Sequence, residues 1–151
     1  MLNEDYRDIL FAFAEEKVRY LVVGAYALAV HGHPRATGDI DLWIEPTASN
    51  ASSVVRALEA FLSSPININK ENFLEPDLLL QIGIEPNRVD ILTSITGLDR
   101  FDVAWADRKE VQIDDVMVNV LSRADLIASK KASARLQDLA DVERLENSSH
   151  E

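Results

Sequence analysis

The segment Asp39-Ile-Asp-Leu-Trp-Ile44 constrains this chain more than any other stretch of it. Apolar residues alternate with the aspartates, which predicts a strand over Asp39–Glu45 with Ile40, Leu42 and Ile44 on one face. Asp39 and Asp41 then share the other face. Aspartate is disfavoured in strands, and two like charges on one face repel each other. A fold that accepts both must bury one side of this strand and bring a counter-cation to the other. Carboxylate oxygens suit a hard ion such as Mg2+ (or Mn2+), which keeps several waters and binds phosphates. The plain alternative is a solvated outer face at a strand start, the usual fate of an isolated Asp-x-Asp.

Around this strand the chain mixes periods. Tyr6, Ile9, Leu10 and Phe13 recur at helical spacing over residues 4 to 16. Val18–Val23 is a short β-rich run closed by Gly24, and the alanine-rich Ala25–Val30 starts a helix that His31-Gly-His-Pro34 stops. Asn50–Phe61 reads as a helix with Ser52 or Ser53 as caps. Residues 64 to 77 fit neither period. Leu78–Ile84 and Arg88–Ile95 read as strands joined around Glu85-Pro-Asn87, Phe101–Ala106 as a short helix, and Val111–Ile113 with Val116–Leu121 as a hairpin turning at Asp114-Asp115. Arg123–Glu146 is helical, as two helices meeting near Ala134–Gln137. Strands and helices without strict βαβ alternation predict an α+β fold, a small mixed β-sheet covered by helices. The expected organisation is a single domain over residues 1–146 with a flexible tail at 147–151.

Composition narrows the function classes. Without cysteine, neither a disulfide framework nor a thiolate zinc site can form. A formal net charge of −11 argues against broad binding of nucleic acid, which depends on neutralising phosphates. The acidic start lacks a basic n-region, and the longest largely apolar stretch, Tyr20–Val30, is too short to span a bilayer, so a cytoplasmic location with no membrane partner is expected.

Several residues are candidates for chemistry beside the aspartate pair. Val89 and Ile91 take one face of their strand and leave Asp90 on the other. If that strand lies beside Asp39–Glu45, three carboxylates converge, enough for two metals to flank a reacting phosphorus while the third carboxylate orients or deprotonates the attacking hydroxyl. Otherwise Asp90 is an exposed strand residue. Gly24 and Ala25, opening a helix straight after a strand, offer backbone N–H groups and a positive dipole end to a phosphate, or serve only the geometry of the turn. Arg35 can reach a phosphate and Thr37 can hydrogen-bond near the metal, unless both belong to an ordinary surface loop. Trp43 either stacks on a base or packs under a helix. His31 and His33 read as turn residues rather than zinc ligands. Arg123, Lys130, Lys131 and Arg135 form a basic segment in an acidic protein, with Arg135, four residues beyond Lys131, expected to stack on its side of the helix. The segment either steers a polyphosphate or simply pairs with Asp138 and Asp141.

Taken in order, Gly24-Ala-Tyr-Ala-Leu-Ala-Val-His-Gly32, Pro34-Arg-Ala-Thr-Gly-Asp-Ile-Asp-Leu-Trp43, Asn87-Arg-Val-Asp-Ile-Leu-Thr-Ser94 and Leu126-Ile-Ala-Ser-Lys-Lys-Ala-Ser-Ala-Arg135 followed by Asp138-Leu-Ala-Asp141 resemble the DNA polymerase β-like nucleotidyltransferase superfamily. More closely, they are similar to its small prokaryotic members related to the nucleotidyltransferase toxins of type IV toxin–antitoxin systems. The resemblance runs from about residue 18 to 146. It implies that Asp39, Asp41 and Asp90 are metal-binding and catalytic, and that the Gly24 turn cradles the triphosphate. It also places the lysine and arginine of the basic segment near the site. The family usually has Gly-Gly or Gly-Ser where this chain has Gly24-Ala25. The expected activity is metal-dependent transfer of a nucleoside monophosphate from a nucleoside triphosphate to a protein, tRNA or small-molecule acceptor. Its rival is a catalytically silent nucleotide-binding or regulatory module, which the departure at Ala25 motivates.

Overall fold

The computed structural model describes residues 2–147. Helix α1 (Glu4–Glu15) opens at Asn3, whose side chain accepts the Tyr6 N–H at 2.8 Å, with Glu4 and Asp5 favouring the positive end of the helix. Its Tyr6, Ile9, Leu10 and Phe13 are fully buried. Strand β1 (Tyr20–Val23) is buried along its whole length and runs directly into α2 (Gly24–Val30). Strand β2 (Asp39–Ile44) follows, then α3 (Ala48–Leu62), a short 3-10 helix (Lys70–Leu74), and strands β3 (Leu79–Ile82) and β4 (Arg88–Leu92). Helix α4 (Phe101–Ala106), the hairpin β5 (Lys109–Ile113) and β6 (Val116–Val120), and helices α5 (Arg123–Ser133) and α6 (Leu136–Asn147) complete the chain. No described helix is long and apolar enough to cross a membrane.

The six strands form one mixed sheet in the order β3-β4-β2-β1-β6-β5. β1 pairs antiparallel with β2 and parallel with β6, and β2 pairs parallel with β4. This is the expected α+β plan. The expected neighbour relation also holds: β4 lies beside β2 with Asp39 opposite Arg88 and Asp41 opposite Asp90. Ile40, Leu42, Ile44, Val89 and Ile91 are buried in the core, so alternation commits the aspartates to the other face.

Three local expectations change. Helix α3 begins at Ala48 with Thr47 as its N-terminal residue, not at Ser52 or Ser53. Asn50 explains the early start: buried, it accepts the Arg19 N–H at 2.8 Å and donates to the Arg19 and Glu45 carbonyls at 3.0 and 2.9 Å. One side chain thus ties the first turn of α3 to the ends of β1 and β2. The unassigned stretch 64 to 77 contains the 3-10 helix, closed by reciprocal Asn69 and Asn72 bonds and anchored by fully buried Phe73. Helix α5 ends at Ser133 with Ala134 left-handed, so Arg135 lies outside it and does not stack on Lys131. Asn147 closes α6, and the rest of the expected tail lies outside the described residues.

Candidate active site

Two strands carry a block of four charges on one face: Asp39 and Asp41 on β2, Arg88 and Asp90 on β4. Carboxylate oxygens of Asp39, Asp41 and Asp90 lie within 4.8 Å of one another. Asp90 is only 5% exposed, so it is no ordinary surface residue. The cross-strand neighbours Asp41 and Asp90 are like charges, an unfavourable pair, whereas Asp39 faces Arg88, a favourable one. Arg88 donates from Nη2 to Asp39 Oδ2 at 2.6 Å, and from Nε to Asp90 Oδ1 at 2.9 Å. Thr37 Oγ1 donates to Asp39 Oδ1 at 3.0 Å, fixing that carboxylate from the preceding loop.

Asp41 carries the electrostatic strain of this block. Burial, then the charges of Asp39 and Asp90 and a hydrogen bond with Asp90, push its carboxyl up to about 7, with Arg88 opposing. Tyr6 of α1 faces the same field. Its phenol is pushed above its ordinary value, first by burial and then by Tyr26 and the three aspartates, and donates to the Pro86 carbonyl at 3.1 Å.

Gly24 abuts Asp41. Its φ is +70°, and a Cβ there would sit 2.2 Å from Asp41 Oδ2. Only glycine lets β1 turn into α2 this close to the carboxylate. On the far side of Gly24 opens a cleft of about 270 Å³, lined by Val23, Gly24, Ser94, Thr96, Lys130 and Arg135 among others. The three aspartates do not line it, although Asp41 abuts Gly24. A second hollow of about 310 Å³ lies against Ala25, Tyr26, Arg35 and Thr37.

The cations are less free than their sequence suggests. Asp141 is fully buried and accepts from Arg35 Nη1 at 2.8 and 2.7 Å, from Lys130 Nζ at 2.9 Å and from Gln137 at 3.1 Å. Burial works against its charge, but the bonds from Lys130 and Arg35 prevail and hold it below the usual carboxylate range. Arg35 therefore ties the loop before β2 to α6. Lys130 is itself buried, while Arg135, bound to Asp138 at 2.8 Å, keeps a side chain 78% exposed at the cleft. Lys131 pairs with Glu146, and Arg123 donates to the Leu145 carbonyl.

Over residues 2–148 the sequence matches the model of a family described as nucleotidyltransferase of unknown function (DUF6036). The chain belongs to this family. Among solved structures it is similar to a protein from Thermotoga maritima named a "putative nucleotidyltransferase", with 22% identity over 97% of this chain and 93% of that one, at a TM-score of 0.58. That likeness shows a shared fold. No curated protein matches.

In this family member the structure brings Asp39, Asp41, Asp90, Thr37 and Gly24 together, and places Lys130 and Arg135 on the cleft beyond Gly24. Arg35 is engaged with Asp141. Trp43 packs: its ring is 2% exposed, meets Phe101 edge-on at 5.1 Å, and donates Nε1–H to the Thr93 carbonyl. His31 is buried at the end of α2, its Nε2 2.8 Å from the Leu121 carbonyl, as suits a turn residue. Sequence reading missed Arg88 and Tyr6. Arg88 was legible, because the rule that placed Asp90 on the aspartate face places residue 88 there too.

Proposed function

We propose that this chain is a metal-dependent nucleotidyltransferase that moves a nucleoside monophosphate from a triphosphate to an acceptor. The observation that carries the reading is the convergence of Asp39, Asp41 and Asp90 on one sheet face, with Asp41 abutting Gly24. The donor set fits a hard divalent ion: all oxygen, all carboxylate, and crowded enough that Asp41 resists ionising alone. Asp39, Asp41 and Asp90 would hold Mg2+ or Mn2+, which neutralises charge on the transferred phosphoryl group. The acceptor oxygen attacks the α-phosphorus, the bond to the bridging oxygen breaks, and pyrophosphate leaves. Asp90 orients the attacking hydroxyl and takes its proton. Gly24 and Ala25 approach the phosphates through the backbone, and Lys130 and Arg135 give the cleft its positive charge. The working unit is one domain over residues 1–146, cytoplasmic, acting on a protein, tRNA or small molecule.

The relation to type IV toxins belongs to the same reading and rests on the order of the motifs. Incubation with each α-labelled triphosphate, Mg2+ or Mn2+, and either the protein alone or added tRNA tests it. Label on protein or RNA that disappears in Asp41→Asn is the expected result. Metal-dependent binding without transfer would replace the enzyme with a silent nucleotide-binding module, and no binding at all would remove the reading.

A further inference from the structure

The two edges of the sheet are built differently. β5 carries Lys109 and Glu110, charges of the kind that keep an exposed edge from pairing with another chain. β3, at the other edge, reads Leu79-Leu-Gln-Ile82, and apart from its four-residue length it has no such device. Leu78 accepts from the Thr93 N–H at 3.2 Å, and Leu80 and Ile82 stand opposite Ile91 and Val89. By the alternation of an antiparallel ladder, the amide groups of Leu79 and Gln81 then point away from β4, to the open edge. The surface around them is apolar. Leu62, Leu79 and Ile84 are 40%, 52% and 81% exposed. Leu58, Leu62, Ile66, Ile68, Leu80 and Ile82 line a groove of about 370 Å³ between α3 and β3. The two runs that build it, residues 60–69 and 78–84, contain no charged side chain.

Charge decides what covers this surface. A chain of net charge −11 repels its own copy wherever acidic faces meet, whereas an uncharged edge lets two copies approach. A charged partner finds nothing there to pair with. We propose that β3 is a self-association edge, at which two copies of this chain join by antiparallel β3–β3 pairing and their two six-stranded sheets become one. The outward amides of Leu79 and Gln81 bond across the two-fold axis, and Leu80 and Ile82 of both copies merge the two grooves. An axis that relates antiparallel strands stands perpendicular to the sheet, so both copies keep the same face up. Gln81 is the cross-strand neighbour of Asp90. The two carboxylate faces therefore lie on one side of the joined sheet, their β4 strands three strand spacings apart, about 14 Å. The pairing uses none of the residues proposed for the chemistry.

Sedimentation equilibrium of the full chain over a concentration series tests this. Wild type should weigh two chains. Added salt should strengthen the dimer, because it screens the repulsion between two acidic bodies without weakening an uncharged contact. Leu79→Glu and Ile84→Glu each place a carboxylate at an exposed position on the edge, and each should be a monomer that circular dichroism shows to be folded. Met117→Glu, on β6 and 49% exposed, should remain a dimer. A wild type that stays monomeric at every concentration overturns the inference. So does a dimer that survives both edge variants, that Met117→Glu also breaks, or that salt dissociates. Should one edge variant not fold, the other decides alone. Neither metal nor nucleotide enters the measurement, so the metal reading stands or falls separately.

Discussion

Gly24 shows how narrowly a single position is determined. Its left-handed φ alone costs a non-glycine residue roughly 1–2 kcal/mol, and a Cβ would collide with Asp41 Oδ2. Gly24→Ala should therefore destabilise the chain by about 1–3 kcal/mol and weaken divalent-ion binding, as read by thermal melts with and without Mn2+. A variant within 0.5 kcal/mol of wild type with unchanged binding would mean that the turn is looser than the structure shows. Ala25, by contrast, has no such collision to avoid. If the turn approaches phosphate, Ala25→Gly and Ala25→Ser should tighten triphosphate binding and Ala25→Val should abolish it. Asp41 adds a pH prediction. Its folded carboxyl titrates at about 7 against an ordinary 3.8, so the shift is upward. The stability it contributes is full below the ordinary value and is lost as pH rises through about 7. An incoming ion must also displace that proton. Mn2+ affinity should therefore climb steeply from pH 5.5 to 7.5, by on the order of tenfold or more, and calorimetry at both values checks it. A flat profile would show that Asp41 is already ionised without metal.

At the scale of elements, much of the site was legible because it depends on alternation. Ile40/Leu42 and Val89/Ile91 fix which face the three aspartates take, and that face is the one observed. Pairing across distance was not legible. Nothing local says that Arg35 will meet Asp141, 106 residues later, or that Asn50 will staple α3 to two strands. The 64 to 77 stretch failed for another reason: its structure is a five-residue 3-10 helix held by Asn69 and Asn72, too short to show a period. The fold buries Lys130 and leaves Arg135 exposed, where the sequence reads one basic patch. Lys130 is buried between Asp138 and Asp141 at 3.7 and 2.9 Å; Lys130→Ala removes that charged bond while Arg35 and Arg135 still answer the two carboxylates, and should cost about 1.5–3 kcal/mol. Arg135→Ala removes a cation that is itself 78% exposed, while Lys130 still faces the buried Asp138 at 3.7 Å, and should cost about 0–1 kcal/mol. Denaturant titration separates the two, and equal losses would mean that the Asp141 network is not the brace it looks. Triphosphate binding at low salt should weaken in both variants if the cleft beyond Gly24 receives the phosphates.

For the whole molecule the decisive fact is that an acidic chain concentrates three carboxylates on two adjacent interior strands of its sheet, β2 and β4. A formal charge of −11 already disfavours the compact state through self-repulsion, and the β2–β4 block adds to it locally. Arg88 offsets one charge but leaves Asp41 against Asp90. A cation that binds the folded chain and not the unfolded one must therefore raise stability by mass action, by about 2.7 kcal/mol at a hundredfold excess over its dissociation constant. For a chain of 151 residues that corresponds to a rise in melting temperature of roughly 5–10 °C. Mg2+ or Mn2+ at millimolar concentration should produce it, and Asp41→Asn should fold normally yet lose most of the gain. The variant without ion should also melt above wild type near pH 8, since it relieves the like-charge pair. Should wild type and variant respond equally to the ion, the cation is screening the acidic surface at large, and the three aspartates have no special claim on it.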